Sequence, residues 1–317
     1  MMRKALVVGI DCYQHFSSLN GCVNDANSIK AVLDRNSDGT INFDVKLLTA
    51  TSSSTVTKKI LKESVMELFK DNNDDIALFY FAGHGHVEST GGYLITSENT
   101  DADAGFPMSE LIKIANDSSA KNKIIVLDCC HSGECGNSSY DDAAILKEGT
   151  TILTASSLVQ YASEENGSGV FTKLFVDAMN GSASNLVGDI TPGSIYAHID
   201  QSLGPWEQRP IFKTNVKEFV KLRKVQPPIS LSELQMITTL FPTSGYEYPL
   251  DPEYEPAEKH GDLEKEQIFR VLQNYNRVNL VVPVGEDHMY YAAINSKSCK
   301  LTILGEHYWK LVEKNRI

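Results

Sequence analysis

Two apolar runs in this chain stop abruptly at chemically reactive residues, and that pairing constrains the fold more than any other feature. Residues 124 to 133 read Ile-Ile-Val-Leu-Asp-Cys-Cys-His-Ser-Gly, and residues 76 to 85 read Ile-Ala-Leu-Phe-Tyr-Phe-Ala-Gly-His-Gly. Successive apolar residues bounded by polar ones suit a short strand buried on both faces, as in a parallel sheet. In open α/β sheets the loops at the carboxyl ends of such strands gather ligands and reacting groups. If the two strands are neighbours, His84 and Cys130 face each other.

The flanking sequence alternates in the same style. A strand is expected over residues 3 to 10, then a helix opened by Asn24 or Asp25 as N-cap, with Ala26, Ile29 and Leu33 at helical spacing. A strand at Phe43 to Leu48 precedes a helix started by Ser52 to Thr57 that reaches Phe69, with Ile60, Leu61, Val65, Leu68 and Phe69 as its buried stripe. A hairpin strand at Tyr93 to Thr96, a helix from Ser109 to Asn116, a strand at Thr151 to Ala155, helices near Phe171 to Met179 and Ser194 to Leu203, and a last strand near Phe212 complete the pattern. Alternating elements joined by right-handed crossovers predict a doubly wound, mostly parallel α/β sheet. That domain is assigned to residues 1–220, residues 221–230 with their Pro-Pro are read as a linker, and residues 231–317 as a small α+β domain. In the last part, Leu263 to Tyr275 reads as a helix, Met289 to Ile294 and Cys299 to Ile303 as strands, and Gly305 to Lys314 as a closing helix.

At 317 residues and 42% hydrophobic, the chain can bury a sizeable core. The apolar run from Ala5 to Gly9 is too short for a signal peptide, and no run approaches a membrane span, so a cytoplasmic location is expected. Six cysteines without regular spacing do not form a disulfide framework. A net charge of −12 argues against broad nucleic-acid binding.

The chemistry of a thiol beside an imidazole is nucleophilic, because a cysteine reacts as its thiolate and needs a partner to take its proton. Gly83 and Gly85 leave room around His84, and backbone N–H groups at Gly85 and after Ser132 suit an oxyanion hole. A zinc site built from Cys129, Cys130, His131 and Cys135 fits less well: adjacent cysteines on a strand point to opposite faces, and a Cys-x-x-Cys knuckle is missing.

The segments Tyr80-Phe81-Ala82-Gly83-His84-Gly85 and Asp128-Cys129-Cys130-His131-Ser132-Gly133 resemble those of caspase-like cysteine peptidases, on the metacaspase side of that superfamily. The resemblance extends through Leu19 to Ala26, Thr154 to Ser157 with Gln160, and Gln208-Arg209-Pro210, about two-thirds of the chain. Ala82 stands where relatives often carry serine. The resemblance implies Cys130, rather than Cys129, as nucleophile, His84 as its partner, and a cysteine endopeptidase acting on protein substrates. It further implies a bacterial defence or cell-death role; the competing reading is a catalytically silent adaptor or sensor.

Animal caspases cut after aspartate and bind it with arginines, whereas metacaspase-like relatives cut after lysine or arginine and use acids. Asp25 matches the acid of the early Asn-Asp motif. Asp128 lies two residues before Cys130 and, on an extended segment, points to the same side. Glu164 is a third candidate for the pocket. A buried carboxylate pair favours a cationic side chain from the substrate. No cofactor is needed for the chemistry; calcium stays open as an activator, since Glu98 to Asp103 is oxygen-rich without EF-hand spacing. Lys147, and Lys221, Arg223 and Lys224 in the linker, are candidate self-cleavage sites. The C-terminal part resembles a winged-helix domain. From Pro228 to Ile317 nine Lys and Arg face thirteen Asp and Glu, a net of −4, which favours a regulatory protein partner over DNA.

Overall fold

The computed structural model describes residues 2–70, 74–100, 105–129, 137–138, 141–155, 169–204, 209–255 and 262–317. The chain divides into two compact units, one of residues 1–184 with 189–226, the other of residues 185–188 with 227–317.

The first unit opens with β1 (Arg3–Ile10), α1 (Cys22–Asp34), β2 (Asp44–Ala50) and α2 (Lys58–Leu68). Then follow β3 (Ile76–Ala82), the short strands β4 (Gly85–Glu88), β5 (Gly91–Leu94) and β6 (Phe106–Pro107), α3 (Met108–Asp117) and β7 (Asn122–Asp128). After the short strands β8 (Asn137–Ser138) and β9 (Asp141–Ala144) come β10 (Thr150–Thr154), α4 (Val170–Asp177), β11 (Asp189–Ile190), α5 (Pro192–Ser202), β12 (Ile211–Asn215) and β13 (Arg223–Lys224). Among the described residues the main sheet has the order β12-β10-β7-β3-β1-β2. All its pairings are parallel except β10 with β12. This is the doubly wound, mostly parallel α/β sheet that the alternation predicts.

Alternate residues of β1 feed opposite faces, as the pleat requires. Ala5 and Val7 join Ile29 and Leu33 of α1, Phe171 and Phe175 of α4 and Ile195 and Ile199 of α5. Leu6, Val8 and Ile10 join Leu61 and Val65 of α2 and Leu111 and Ala115 of α3. Helices therefore cover both faces, which is why β3 is buried at every position.

Several local expectations differ from the structure. α1 begins at Cys22, before Asn24 and Asp25, and Gly21 at its N-cap position has no side chain to offer. The first-turn N–H groups of Cys22 and Val23 donate instead to Asp11 Oδ1, at 2.9 and 3.3 Å, in the loop after β1. Ile60 is exposed, while Leu61, Val65 and Leu68 form the buried stripe; the helix starts only at Lys58, where Thr57 accepts from the Ile60 N–H. The stretch read as a linker is not uniform. Leu222 is buried, its N–H donates to Ile190 O at 2.7 Å, its carbonyl accepts from Asn42 Nδ2 at 2.9 Å, and β13 pairs with β11. Residues 221–226 thus pack with the first unit.

The second unit contains α6 (Leu231–Gln235), α7 (Ile237–Leu240), β14 (Glu247–Pro249), α8 (Leu263–Arg277), β15 (Val281–Val284), α9 (Met289–Ile294), β16 (Ser298–Leu301) and α10 (Ile303–Glu313). Its sheet has the order β14-β16-β15, antiparallel throughout. Leu234, Phe241, Phe269, Leu272, Tyr275, Leu280, Ala292 and Cys299 form its core. Met289 to Ile294, read as a strand, is the helix α9, and the strand β15 lies before it. No helix among the described residues is long and apolar enough to cross a membrane.

Candidate active site

β3 and β7 are adjacent and in register, with Ala82 opposite Asp128 and the Gly83 N–H directed at Asp128 O, 3.3 Å away. Both reactive segments therefore leave the sheet at the same edge, side by side. Cys130, two residues beyond Asp128, lies outside the described residues, as do Glu164 and the Gln160 and Gln208 positions.

His84 is half-buried and held from two sides. Its backbone N–H donates to the Tyr13 hydroxyl at 2.8 Å, and that hydroxyl donates to Ile10 O at 3.1 Å. The two rings lie 4.7 Å apart, with Phe16 further out at 6.4 Å. Burial pushes the Tyr13 phenol well up, so it stays a hydroxyl. The ring Nε2 sits 2.8 Å from Ser17 O. A carbonyl oxygen can only accept, so Nε2 carries the proton and Nδ1 keeps its lone pair for an incoming proton. Gly83 is required by this packing, because a Cβ there would lie 2.7 Å from the Tyr13 hydroxyl.

Gly85 begins β4 opposite Leu94 of β5. The flanking bond, Ile95 N–H to His84 O at 3.0 Å, makes Gly85 and Leu94 a non-hydrogen-bonded pair, so the Gly85 N–H points away from β5.

Asp25 and Asp128 come together. Both are buried, at 2% and 6% exposure, and both face Gly169 at the start of α4. The Gly169 N–H donates to Asp25 Oδ2 at 2.9 Å. A Cβ on Gly169 would lie 2.6 Å from Asp128 Oδ2 and 3.2 Å from Asp25 Oδ2, so only glycine lets the two carboxylates approach this closely. Thr172, one helical turn further along the chain, donates to Asp128 Oδ2 at 2.6 Å. Sequence reasoning missed Asp11, Tyr13, Ser17, Gly169 and Thr172. Each acts through a partner far away in the chain, and none has a local pattern that reveals it.

The other candidates are scattered. Lys147 is exposed between β9 and β10 and pairs with Asp117 at 3.0 Å. Lys221 pairs with Asp189 at 2.6 Å. Arg223 lies in β13 and donates to Arg35 O, Met179 O and Asn180 Oδ1 at 2.8–3.0 Å; Lys224 is its exposed neighbour. In the loop considered for calcium, Glu98 Oε1 accepts from the Lys58 N–H at 2.7 Å, and Asn99 Oδ1 accepts from the Thr96 N–H and hydroxyl. Asp101 and Asp103 lie outside the described residues. Of the zinc candidates, Cys129 is buried at 1% exposure, and Cys130, His131 and Cys135 lie outside them. Among the described residues no group of three His, Cys, Asp or Glu is placed to hold a metal ion.

Comparison with known proteins agrees with this architecture. The structure is similar to that of the protein GSU0716 from Geobacter sulfurreducens, with a TM-score of 0.53, 16% identity, and coverage of 71% of this chain and 100% of that one. It is also similar to caspase-1 from Spodoptera frugiperda, with a TM-score of 0.53, 13% identity, and coverage of 70% and 92%. At these identities the likeness is one of fold. No curated protein matches the sequence. The family model described as "Caspase domain" matches residues 2–226, and the chain therefore belongs to the caspase-domain family of cysteine peptidases.

Proposed function

We propose that this protein is a cysteine endopeptidase of the metacaspase type that cleaves protein substrates after lysine or arginine. The observation that carries the reading is the convergence of the buried Asp25 and Asp128 carboxylates on Gly169, beside the strand end that leads to Cys130. Two buried carboxylates so close together repel each other and forgo hydration, and a cationic side chain between them relieves both costs.

In this reading Cys130 gives its proton to His84 Nδ1, and the thiolate attacks the carbonyl carbon of the scissile bond. The oxyanion draws on the outward-facing Gly85 N–H. His84 then passes the proton to the leaving amine, the C–N bond breaks, and a thioester remains on Cys130. Water, deprotonated by the same imidazole, hydrolyses the thioester and restores the thiol. Ser17 keeps the imidazole turned the right way through both halves. Lys147 remains the better self-cleavage candidate, because it is exposed between strands while Arg223 is tied into β13. Residues 231–317 are assigned to a regulatory protein partner.

Fluorogenic peptides that differ only at P1, assayed with and without calcium, test the proposal. Turnover of lysine or arginine peptides well above aspartate or neutral peptides supports it. Faster turnover of aspartate peptides overturns it.

A further inference from the structure

Behind the acidic pair lies a buried hydrogen-bonded chain. The Tyr80 hydroxyl sits 2.5 Å from Thr172 Oγ1, and Thr172 Oγ1 sits 2.6 Å from Asp128 Oδ2. Tyr80 is 0% exposed and Thr172 1%. A threonine hydroxyl carries one proton. Since that proton goes to the Asp128 carboxylate, the Tyr80 hydroxyl donates to Thr172. The direction is fixed along the whole chain, from Tyr80 through Thr172 to Asp128.

We propose that Thr172 and Tyr80 are positioning residues for substrate specificity, holding the Asp128 carboxylate turned toward an incoming P1 cation. The proposal rests on the reading of Asp25 and Asp128 as the P1 pocket. Asp25 is anchored by the Gly169 N–H at the opening of α4, and Asp128 by Thr172 in the same helix. One helix thus fixes both carboxylates, one through its leading backbone N–H and one through a side chain. Serial donation strengthens each bond in such a chain, and a charged acceptor gains most.

Tyr80 suits the far end. Burial, followed by the nearby Asp128 and Asp25 carboxylates, pushes its phenol well above the ordinary range, so it remains a donor. An apolar residue at 172 would remove both bonds of this link, the one from the buried Tyr80 hydroxyl and the one to Asp128 Oδ2. A structural role alone predicts an equal loss for every substrate. A positioning role predicts a loss confined to cationic P1 side chains.

The discriminating comparison is arginine against citrulline at P1, since the two are nearly isosteric and differ in charge. For Thr172→Val the ratio of kcat/KM between arginine and citrulline peptides is expected to fall by about tenfold, mostly through KM for arginine, as expected on losing a hydrogen bond to a charged group. Thr172→Ser keeps the donor and restores the ratio; Tyr80→Phe lowers it by about threefold, acting one bond further away. Asp128→Asn is the reference and abolishes the preference. If Asp128→Asn leaves the ratio intact, the pocket assignment itself is wrong. If Asp128→Asn abolishes the preference while folded Thr172→Val and Tyr80→Phe retain it, or lose both substrates equally, the positioning role is overturned and the pocket stands.

Discussion

The Nε2 of His84 and the carbonyl oxygen of Ser17 lie 2.8 Å apart, which leaves Nδ1 as the ring's basic nitrogen. The loop after β1 therefore sets the protonation pattern of a residue that follows β3. Replacing His84 by alanine is predicted to lower kcat by about a thousandfold with little change in KM, the usual range for losing a general acid-base group. Steady-state kinetics on an arginine peptide check this.

Tyr13→Phe removes both the acceptor for the His84 N–H and the donor to Ile10 O. The ring packing against His84 survives. A fall in kcat of about fivefold is expected, matching the loss of the one of these two hydrogen bonds that reaches His84. An unchanged kcat would mean that the ring contact alone positions the imidazole.

Gly169→Ala is predicted to be far more damaging than its size suggests. The new methyl would stand 2.6 Å from Asp128 Oδ2 and force the carboxylates or α4 to move. A stability loss of about 1–3 kcal/mol is expected from such overpacking, together with a raised KM for arginine and lysine peptides. Denaturant titration and kinetics on the same preparation separate the two effects.

In the second unit, Gly305 lies in the first turn of α10, where alanine would ordinarily stabilise a helix by about 1 kcal/mol. Here the sign reverses. A Cβ at Gly305 would lie 2.0 Å from Leu280 O, a backbone atom that cannot swing away. Gly305→Ala should lower the denaturation midpoint of this unit, and a raised midpoint would contradict the packing.

Cys299 is buried in the same core, and burial pushes its thiol from the ordinary 9.0 up to about 12. Its folded value is raised, so the unfolded chain loses this proton first as pH rises. The associated stability is complete below pH 9 and is lost as the pH climbs toward 12. Native protein at pH 8 should leave Cys299 unalkylated by iodoacetamide, and alkylation should appear only after denaturant unfolds this unit.

The reactive strand ends were legible because a buried parallel strand writes its own boundary: Ile124 to Leu127 are apolar, and Asp128 is not. Asp25 and Asp128 were legible as acids, but their meeting at Gly169 was not, since it depends on how α4 docks. The cap on α1 escaped because Asp11 supplies it from another element. In the second unit, Met-Tyr-Tyr-Ala-Ala-Ile is short enough to fit either a strand or a helix. The strand β15, Val-Val-Pro-Val, was hidden by Pro283, which disfavours central strands but is tolerated at the sheet edge that β15 occupies.

The central claim is a thiol at Cys130 served by His84 and an acid-lined P1 pocket, and an electrophilic peptide ketone with arginine at P1 tests it most directly. Mass spectrometry of the labelled full-length chain should show one adduct, on the tryptic peptide at Cys130. The adduct should be suppressed by excess arginine peptide, slowed in His84→Ala and barely formed by the matching aspartate ketone. Labelling at Cys129, or faster labelling by the aspartate reagent, would contradict the account.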